Sequence, residues 1–401
     1  MNAARIPELP VYFDYNATTP CDPRVVEAMM PYFTRQFGNA SSRHHSYGWA
    51  AEEAVKQGRE QIAELVGAGA GEIVFTSGAT ESVNLAIKGV FEMYASSGNH
   101  IITCAAEHKA VLDTCKHLQK NGAEVTYLGV DQKGQIDLNK LESCITRSTI
   151  MIAVMYANNE TGTIVPVREI SDIARKHGLL FFTDASQAVG KIPVDVQKDG
   201  IDLMAMTAHK IYGPKGVGAL YVRRKNPRVR LIPQIDGGGH ERGFRSGTLN
   251  VPGIVGFGEA CALCAKEMDD DAQRISILRD QLESALIDLT DVHVNGDREH
   301  RLPHMTNLSY QWTEGHALLM ALNKDIALSA GSACTSATLE PSHVLKAMGL
   351  DDDLAHSSLR FGLGRFTKKE EIAYAVAQIA DAVRKLREIN PSWKERMAGA
   401  L

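Results

Sequence analysis

The sequence predicts an α/β protein built on a mostly parallel sheet with helices on both faces, joined to a smaller α+β unit. Three observations carry this expectation. Between residues 72 and 222, short runs of continuous apolar residues alternate with amphipathic helical patterns. Strands apolar on both faces belong to sheets buried on both sides, and their alternation with helices makes those sheets parallel. After Val222 this alternation stops, and at 401 residues the chain is long enough for two domains.

In chain order, residues 24–36 read as a helix and Trp49–Val66 as a long amphipathic one. The expected strands are Glu72–Thr76, His100–Cys104, Glu124–Leu128, Thr149–Tyr156, Leu179–Asp184, Ile201–Met206 and Val217–Val222. Helices are expected at Thr80–Tyr94, Lys109–Lys120 and Val167–His177. Helical sequence resumes at Val251–Leu289, followed by strands at Thr306–Tyr310 and Ile326–Ser329 and a last helix at about Lys368–Ile389. A domain boundary is expected near residue 263. The large unit then spans 16–262, and the small unit joins 1–15 to 263–401.

Composition narrows the function classes. The net charge of −5 argues against nonspecific nucleic-acid binding. No apolar run approaches a membrane span, and Met1–Pro10 lacks the apolar core of a secretory signal. Seven scattered cysteines in a chain this large read as free thiols in a reducing cytoplasm.

Ligands of open α/β sheets sit beyond the carboxyl ends of the strands. Three groups fall at such ends. Thr76-Ser77-Gly78-Ala79-Thr80-Glu81 runs from strand to helix, with small residues and hydroxyls suited to a phosphate. It lacks the Gly-Lys-Ser/Thr ending of a nucleotide loop, and alone it also reads as an ordinary helix cap. Asp184 ends an apolar strand, where a carboxylate needs a cation or donors; a protonated ring nitrogen would serve, as would a helix N-cap role. Thr207-Ala208-His209-Lys210 ends another strand beside the turn residues Gly213, Pro214 and Gly216. A lysine held there can form an imine with an aldehyde, although a solvated strand-end lysine is the commoner case. Together, a phosphate site, an acid for a pyridinium nitrogen and this lysine describe a pyridoxal phosphate pocket, with His108 placed to cover the ring.

Cys334 lies in a run of small and polar residues, Ala330 to Pro341, which reads as a mobile loop. A thiol there is accessible, although an incidental loop cysteine has the same signature. Arg360 alternates with apolar residues as on a strand and could clamp a carboxylate, or make a surface ion pair. Cys261 and Cys264 on a helical pattern, and His44-His45, lack partners at metal spacing.

Nine segments in order then resemble the cysteine desulfurases of the IscS/NifS type, nearly end to end. They are Asp14–Pro20, Phe75–Ser82, Glu107–Val111, Asn158–Gly162, Asp184–Gly190, His209–Gly216, Gly237–Gly243, Arg245–Thr248 and Gly331–Ser336. The resemblance implies a fold-type-I pyridoxal phosphate enzyme and a homodimer. It implies that Lys210 joins the cofactor, His108 stacks on its ring, Asp184 holds the ring nitrogen and Gln187 the ring hydroxyl. Thr80, Thr207 and His209 would bind the phosphate, with Ala79 contributing backbone and Ala208 counted among the cofactor-binding residues. Thr248 would reach the phosphate of the other subunit. Asn159 and Arg360 would hold the substrate carboxylate, Asn159 also touching the cofactor. Cys334 would take sulfur from L-cysteine as a persulfide, leaving alanine, and pass it to an acceptor such as an iron–sulfur scaffold protein. Transfer toward tRNA thiolation is a second outlet, and Cys334 is a candidate transient cluster ligand shared with the scaffold. Direct nucleic-acid binding and a membrane are not implied.

Ala208 and Ala330 stand where the family commonly has Gly and Ser. The chain ends soon after Pro391-Ser392-Trp393, where relatives often carry a longer tail that contacts the scaffold. Rival readings are a selenocysteine lyase, an aminotransferase on the same fold, and a non-catalytic sulfur-trafficking platform.

Overall fold

The computed structural model describes residues 7–330 and 340–399. Its strands are β1 (Val11–Tyr12), β2 (Ile73–Thr76), β3 (His100–Cys104), β4 (Glu124–Leu128), β5 (Thr149–Ala153), β6 (Leu180–Asp184), β7 (Leu203–Thr207), β8 (Gly218–Val222), β9 (Val292–Val294), β10 (Met305–Tyr310), β11 (Ile326–Ala327), β12 (Ser329–Ala330) and β13 (Ser358–Gly362). Seven of them form the large sheet, in the order β2-β8-β7-β6-β5-β3-β4. Only β8 runs antiparallel to its neighbours, so the other six present their carboxyl ends on one rim.

Residues alternate between two cores along these strands. On β7, Met204 and Met206 enter one core while Leu203 and Ala205 enter the other. This two-residue period, apolar at every position, is what a sheet covered on both faces requires. Helices Ala79–Met93 and Lys109–Gln119 cover one face. Helices Ser46–Leu65 and Val167–Lys176 cover the other, with the first half of Val251–Ile287.

That last helix, 37 residues long, changes partners along its length. Val251, Ile254, Phe257 and Cys261 join the core of the large sheet, whereas Ile275, Leu278, Leu282 and Leu286 join a third core. The third core lies under the sheet β12-β13-β10-β9 and helices Gly315–Leu322 and Lys369–Ile389. The N-terminal strand reaches it too: β1 pairs in parallel with β11, and Val11 and Phe13 are buried there.

Some ends move by two or three residues, as where the strand expected over Thr149–Tyr156 stops at Ala153 and the helix expected from Trp49 begins at Ser46, and two expected elements differ in kind. The helix expected over 24–36 is two helices, Pro23–Met29 and Pro31–Thr34. Pro31 has no N–H to continue the first ladder and its ring crowds the preceding turn, so the chain restarts there. The single strand expected at Ile326–Ser329 is split, because β11 pairs with β1 while β12 pairs with β13 in a different sheet. An expected core pattern cannot reveal that a strand changes partner within four residues.

Candidate functional site

Three of the sequence groups meet on the rim of the large sheet. Thr76 and Thr207 end β2 and β7, and both pair with Gly218, the first residue of β8 between them. A side chain at 218 would put its Cβ 2.6 Å from Gly78 Cα and 2.7 Å from the Met206 carbonyl oxygen. Only glycine lets the turn at Gly78 close over the sheet. The helix Ala79–Met93 starts immediately after it, with no side chain capping its first turn. Its leading N–H groups and the exposed Thr80 therefore stand beside Thr207, a cradle of donors at a helix N-terminus. Glu81, the acid of that first turn, is neutralised by Arg245 at 2.8 Å.

Asp184 ends β6, next to β7, and is mostly buried. One of its oxygens accepts the Ser186 N–H at 3.0 Å. Glu107, fully enclosed behind it, is pushed well above the usual carboxylate range, chiefly by burial and further by Asp184. Its Oε1 accepts the Met155 N–H at 2.6 Å. His108 follows β3 and caps the helix Lys109–Gln119, its Nδ1 accepting the Ala110 N–H at 3.1 Å.

Lys210 closes a short 3-10 turn, Ala208–Lys210, that continues from β7. Its amine donates to the carbonyl oxygens of Asn16 and Ala17, the latter at 2.8 Å. Gln187 Nε2 donates to the same Asn16 oxygen at 3.1 Å. The segment 14–19 thus lies over the site, with Thr19 bonded to the His209 carbonyl and His209 Nδ1 to the Thr18 hydroxyl at 3.2 Å. Burial first, then Lys210 and Lys215, push His209 down to about 4, so its imidazole is neutral at physiological pH. Ala208 is buried, and its methyl faces Gly213, where a Cβ would come within 2.8 Å of it. The turn closes by Gly213 N–H donating to the Ala208 carbonyl at 2.9 Å. Alanine is accommodated at 208 because glycine stands at 213.

Asn159 and Arg360 also meet. The guanidinium, on β13 and 2 % exposed, donates to the Asn159 carbonyl at 3.0 Å and to Asp14 at 2.8 Å. Asp14 in turn accepts the Ser329 hydroxyl at 2.8 Å. Next to Asn159, Glu160 is buried and accepts the Ser342 hydroxyl. Burial pushes Glu160 up to about 7. Thr248 is exposed, on the loop ahead of helix Val251–Ile287. Cys334 lies outside the described residues.

The metal-like pairs have other jobs. His45 Nδ1 caps the helix Ser46–Leu65 by accepting the Gly48 N–H. Cys261 and Cys264 are buried in their helix, and burial raises both thiols. Asp14, Asn16 and Glu160 also contact this arrangement, through Arg360, Lys210 and Ser342 respectively, and residue type alone assigns them no role. The polar turn after a short apolar run was the available signal for the first two, and Asn159 beside it for the third.

The donor set fits pyridoxal phosphate: a hydroxyl-lined helix N-terminus, a strand-end carboxylate and a strand-end amine share one rim. Asn159 Oδ1, Ser186 Oγ and Arg360 Nε are buried there with no hydrogen-bond partner among the described residues, which suits a polar ligand.

Comparison with known proteins points the same way. The aminotransferase class-V family profile matches residues 11–374. A protein of Anaeromyxobacter dehalogenans named cysteine desulfurase IscS is 56% identical over 388 residues, covering 96% of both chains. One of the same name from Photorhabdus laumondii is 55% identical over 389 residues, again covering 96% of each. Among solved structures, a NifS-like protein superposes with a TM-score of 0.88 at 38% identity, covering 94% of this chain and 100% of its own. A structure described as SspA in complex with cysteine gives a TM-score of 0.78 at 36% identity, covering 89% and 100%.

Proposed function

This chain belongs to the aminotransferase class-V family, and from its 55–56% identity over nearly its whole length to proteins named cysteine desulfurase IscS we propose that it is a cysteine desulfurase that takes sulfur from L-cysteine and releases L-alanine. The family's cofactor is pyridoxal phosphate. The observation that carries the reading is the meeting of Lys210, Asp184 and the Gly78–Thr80 helix start on one rim, in a chain more than half identical to proteins named for this activity.

Lys210 would hold the cofactor through its aldehyde, and the bound group would supply a sink for the electrons of the substrate's Cα. The other roles fall to the chain. Asp184 would hold the ring-nitrogen proton and Gln187 would hold the ring hydroxyl. The N–H of Ala79, with Thr80, Thr207 and neutral His209, binds the phosphate without adding a charge that would have to be desolvated. His108 would cover the ring. Arg360 and Asn159 would hold the substrate carboxylate, and the Lys210 amine, released when the substrate's own amine takes its place, would remove and return the proton at Cα. The Cys334 thiolate then attacks the substrate sulfur. An S–S bond forms, the Cβ–S bond breaks, and its electron pair ends on Cβ, which takes a proton as alanine is formed. Cys334 is left as a persulfide.

The terminal sulfur passes to an acceptor protein, with iron–sulfur cluster assembly as the first outlet and tRNA thiolation as another; Cys334 is also the residue proposed to ligate a cluster transiently. The protein works as a homodimer in the cytoplasm, with Thr248 reaching the partner's phosphate; its exposed position is compatible with that role. No described helix is long and apolar enough to cross a membrane. A division near residue 263 is supported by the long helix, which leaves the large-sheet core after Cys264 and enters the third one at Ile275.

The test is a Cys334→Ser variant given L-cysteine. Its visible spectrum should still respond, while alanine production and sulfide release under reductant stop. Wild-type turnover by that variant, or a colourless wild-type protein that makes no alanine, refutes the reading.

A further inference from the structure

Tyr212, two residues after Lys210, is the least ordinary residue around the site. Its φ is +66°, in the left-handed region that a bulky side chain enters only when its surroundings force it. It is 2 % exposed, and its contacts come from every side. Lys191 Nζ lies 4.4 Å and Arg365 Cζ 4.5 Å from the ring centroid. The Lys191 amine also donates to the Tyr212 hydroxyl at 3.3 Å, and the Arg365 backbone N–H donates to it at 2.7 Å. The rings of Tyr15 and Phe366 stand 6.2 and 5.8 Å away. The Tyr212 N–H donates to the Thr19 hydroxyl at 2.8 Å, and its carbonyl accepts the Asp22 N–H at 2.9 Å.

These contacts join three parts of the site. Lys191 ends the segment that begins with Asp184 and Gln187. Arg365 follows β13, which carries Arg360. Tyr212 itself closes the turn that carries His209 and Lys210. Gly190 completes the seam, since a Cβ there would stand 2.7 Å from Ile211 Cγ2.

Lys191 is the unexpected member. Its one side-chain hydrogen bond among the described residues is to the Tyr212 hydroxyl, whereas Arg365 is matched by Asp22 at 2.9 Å and Asp271 at 2.8 Å. Burial pushes the Lys191 ammonium down to about 8. A methionine of similar length would fill the same space without a charge to desolvate, so packing does not explain the amine.

We infer that Tyr212 is a positioning residue for Lys210, and that Lys191 and Arg365 hold its ring and hydroxyl so that the turn places the Lys210 amine against the cofactor and Cα. The lysine chain is long and flexible, and its reach is set by where its backbone is fixed. A misplacement of about 1 Å is enough to cost a proton transfer on the order of a hundredfold. This inference rests on the desulfurase reading of Lys210.

The experiment uses Lys191→Met and Tyr212→Phe holoenzymes. Three quantities are read: the pH midpoint of the visible absorption of the Lys210-linked cofactor, the thermal unfolding midpoint, and the separate kcat and KM for L-cysteine. The expected result is a displaced absorption midpoint, kcat reduced roughly tenfold or more with KM within about twofold, and Lys191→Met melting no lower than wild type. Tyr212→Phe keeps the ring, so the test stands even where Lys191→Met folds poorly. If both variants keep the wild-type midpoint and kcat, and differ only in melting temperature, the inference is overturned. A wild-type protein with no visible absorption overturns the desulfurase reading instead.

Discussion

Lys210 and Gln187 donate to one atom, the carbonyl oxygen of Asn16. The residue proposed to carry the cofactor and the residue proposed to hold its ring hydroxyl are therefore registered against the same point of the N-terminal segment. Asn16 is itself fixed by its side chain, which reaches Gln187 Oε1 at 3.4 Å and His304 Nε2 at 3.3 Å. Burial keeps His304 well below its usual range, so its ring is neutral and can accept.

That registration depends on Gly362. A Cβ there would stand 2.0 Å from Asn16 Oδ1 and 2.9 Å from Asn16 N. Gly362→Ala should displace Asn16 and so disturb Lys210 and Gln187 together. The expected outcome is a stability loss of about 1–3 kcal/mol, as for other overpacked cores, with weakened cofactor retention on dialysis. A variant that retains cofactor as wild type does would separate Asn16 from the site.

Arg360 is paired with Asp14 and tied to the Asn159 carbonyl, while its Nε remains buried without a hydrogen-bond partner among the described residues. The planar fork of arginine can pair bidentately with a substrate carboxylate, which the single ammonium of lysine cannot. Arg360→Lys should raise KM for L-cysteine on the order of tenfold or more and leave the absorption of the bound cofactor unchanged. Unchanged KM in steady-state assays would remove Arg360 from the substrate clamp.

Glu160 should make the stability of the fold depend on pH. Burial raises it from 4.5 to about 7. Between those values the unfolded chain has lost a proton that the folded chain keeps, so stability falls as pH rises through this window. The loss reaches about 3 kcal/mol at the upper end. Glu160→Gln keeps an acceptor for Ser342 and should flatten the thermal-midpoint profile between pH 4.5 and 7 relative to wild type. Parallel profiles for the two proteins would contradict this origin.

The inner strands β5, β6 and β7 of the large sheet were legible because they are apolar at most consecutive positions, unlike the edge strand β4. Phe181, Phe182 and Leu203 to Met206 have no polar face to mislead the reading. The rim groups were legible because strand ends are marked by the residues that stop them, Thr76, Asp184 and Thr207. What sequence did not disclose was contact at a distance. Asp14 and Arg360 are 346 positions apart, and nothing local to either predicts their pairing. Asn16 acts on Lys210 through a backbone carbonyl, which carries no residue-type signal at all. The break at Pro31 and the change of partner between β11 and β12 likewise depend on steric and pairing choices that hydrophobic periodicity does not encode.

The most direct measurement is peptide mapping of the purified protein after borohydride reduction. A single pyridoxyl group on Lys210, with loss of the visible absorption, is the predicted result. A label on another lysine such as Lys191 or Lys215, or no label on a protein that nevertheless makes alanine from cysteine, would contradict the account.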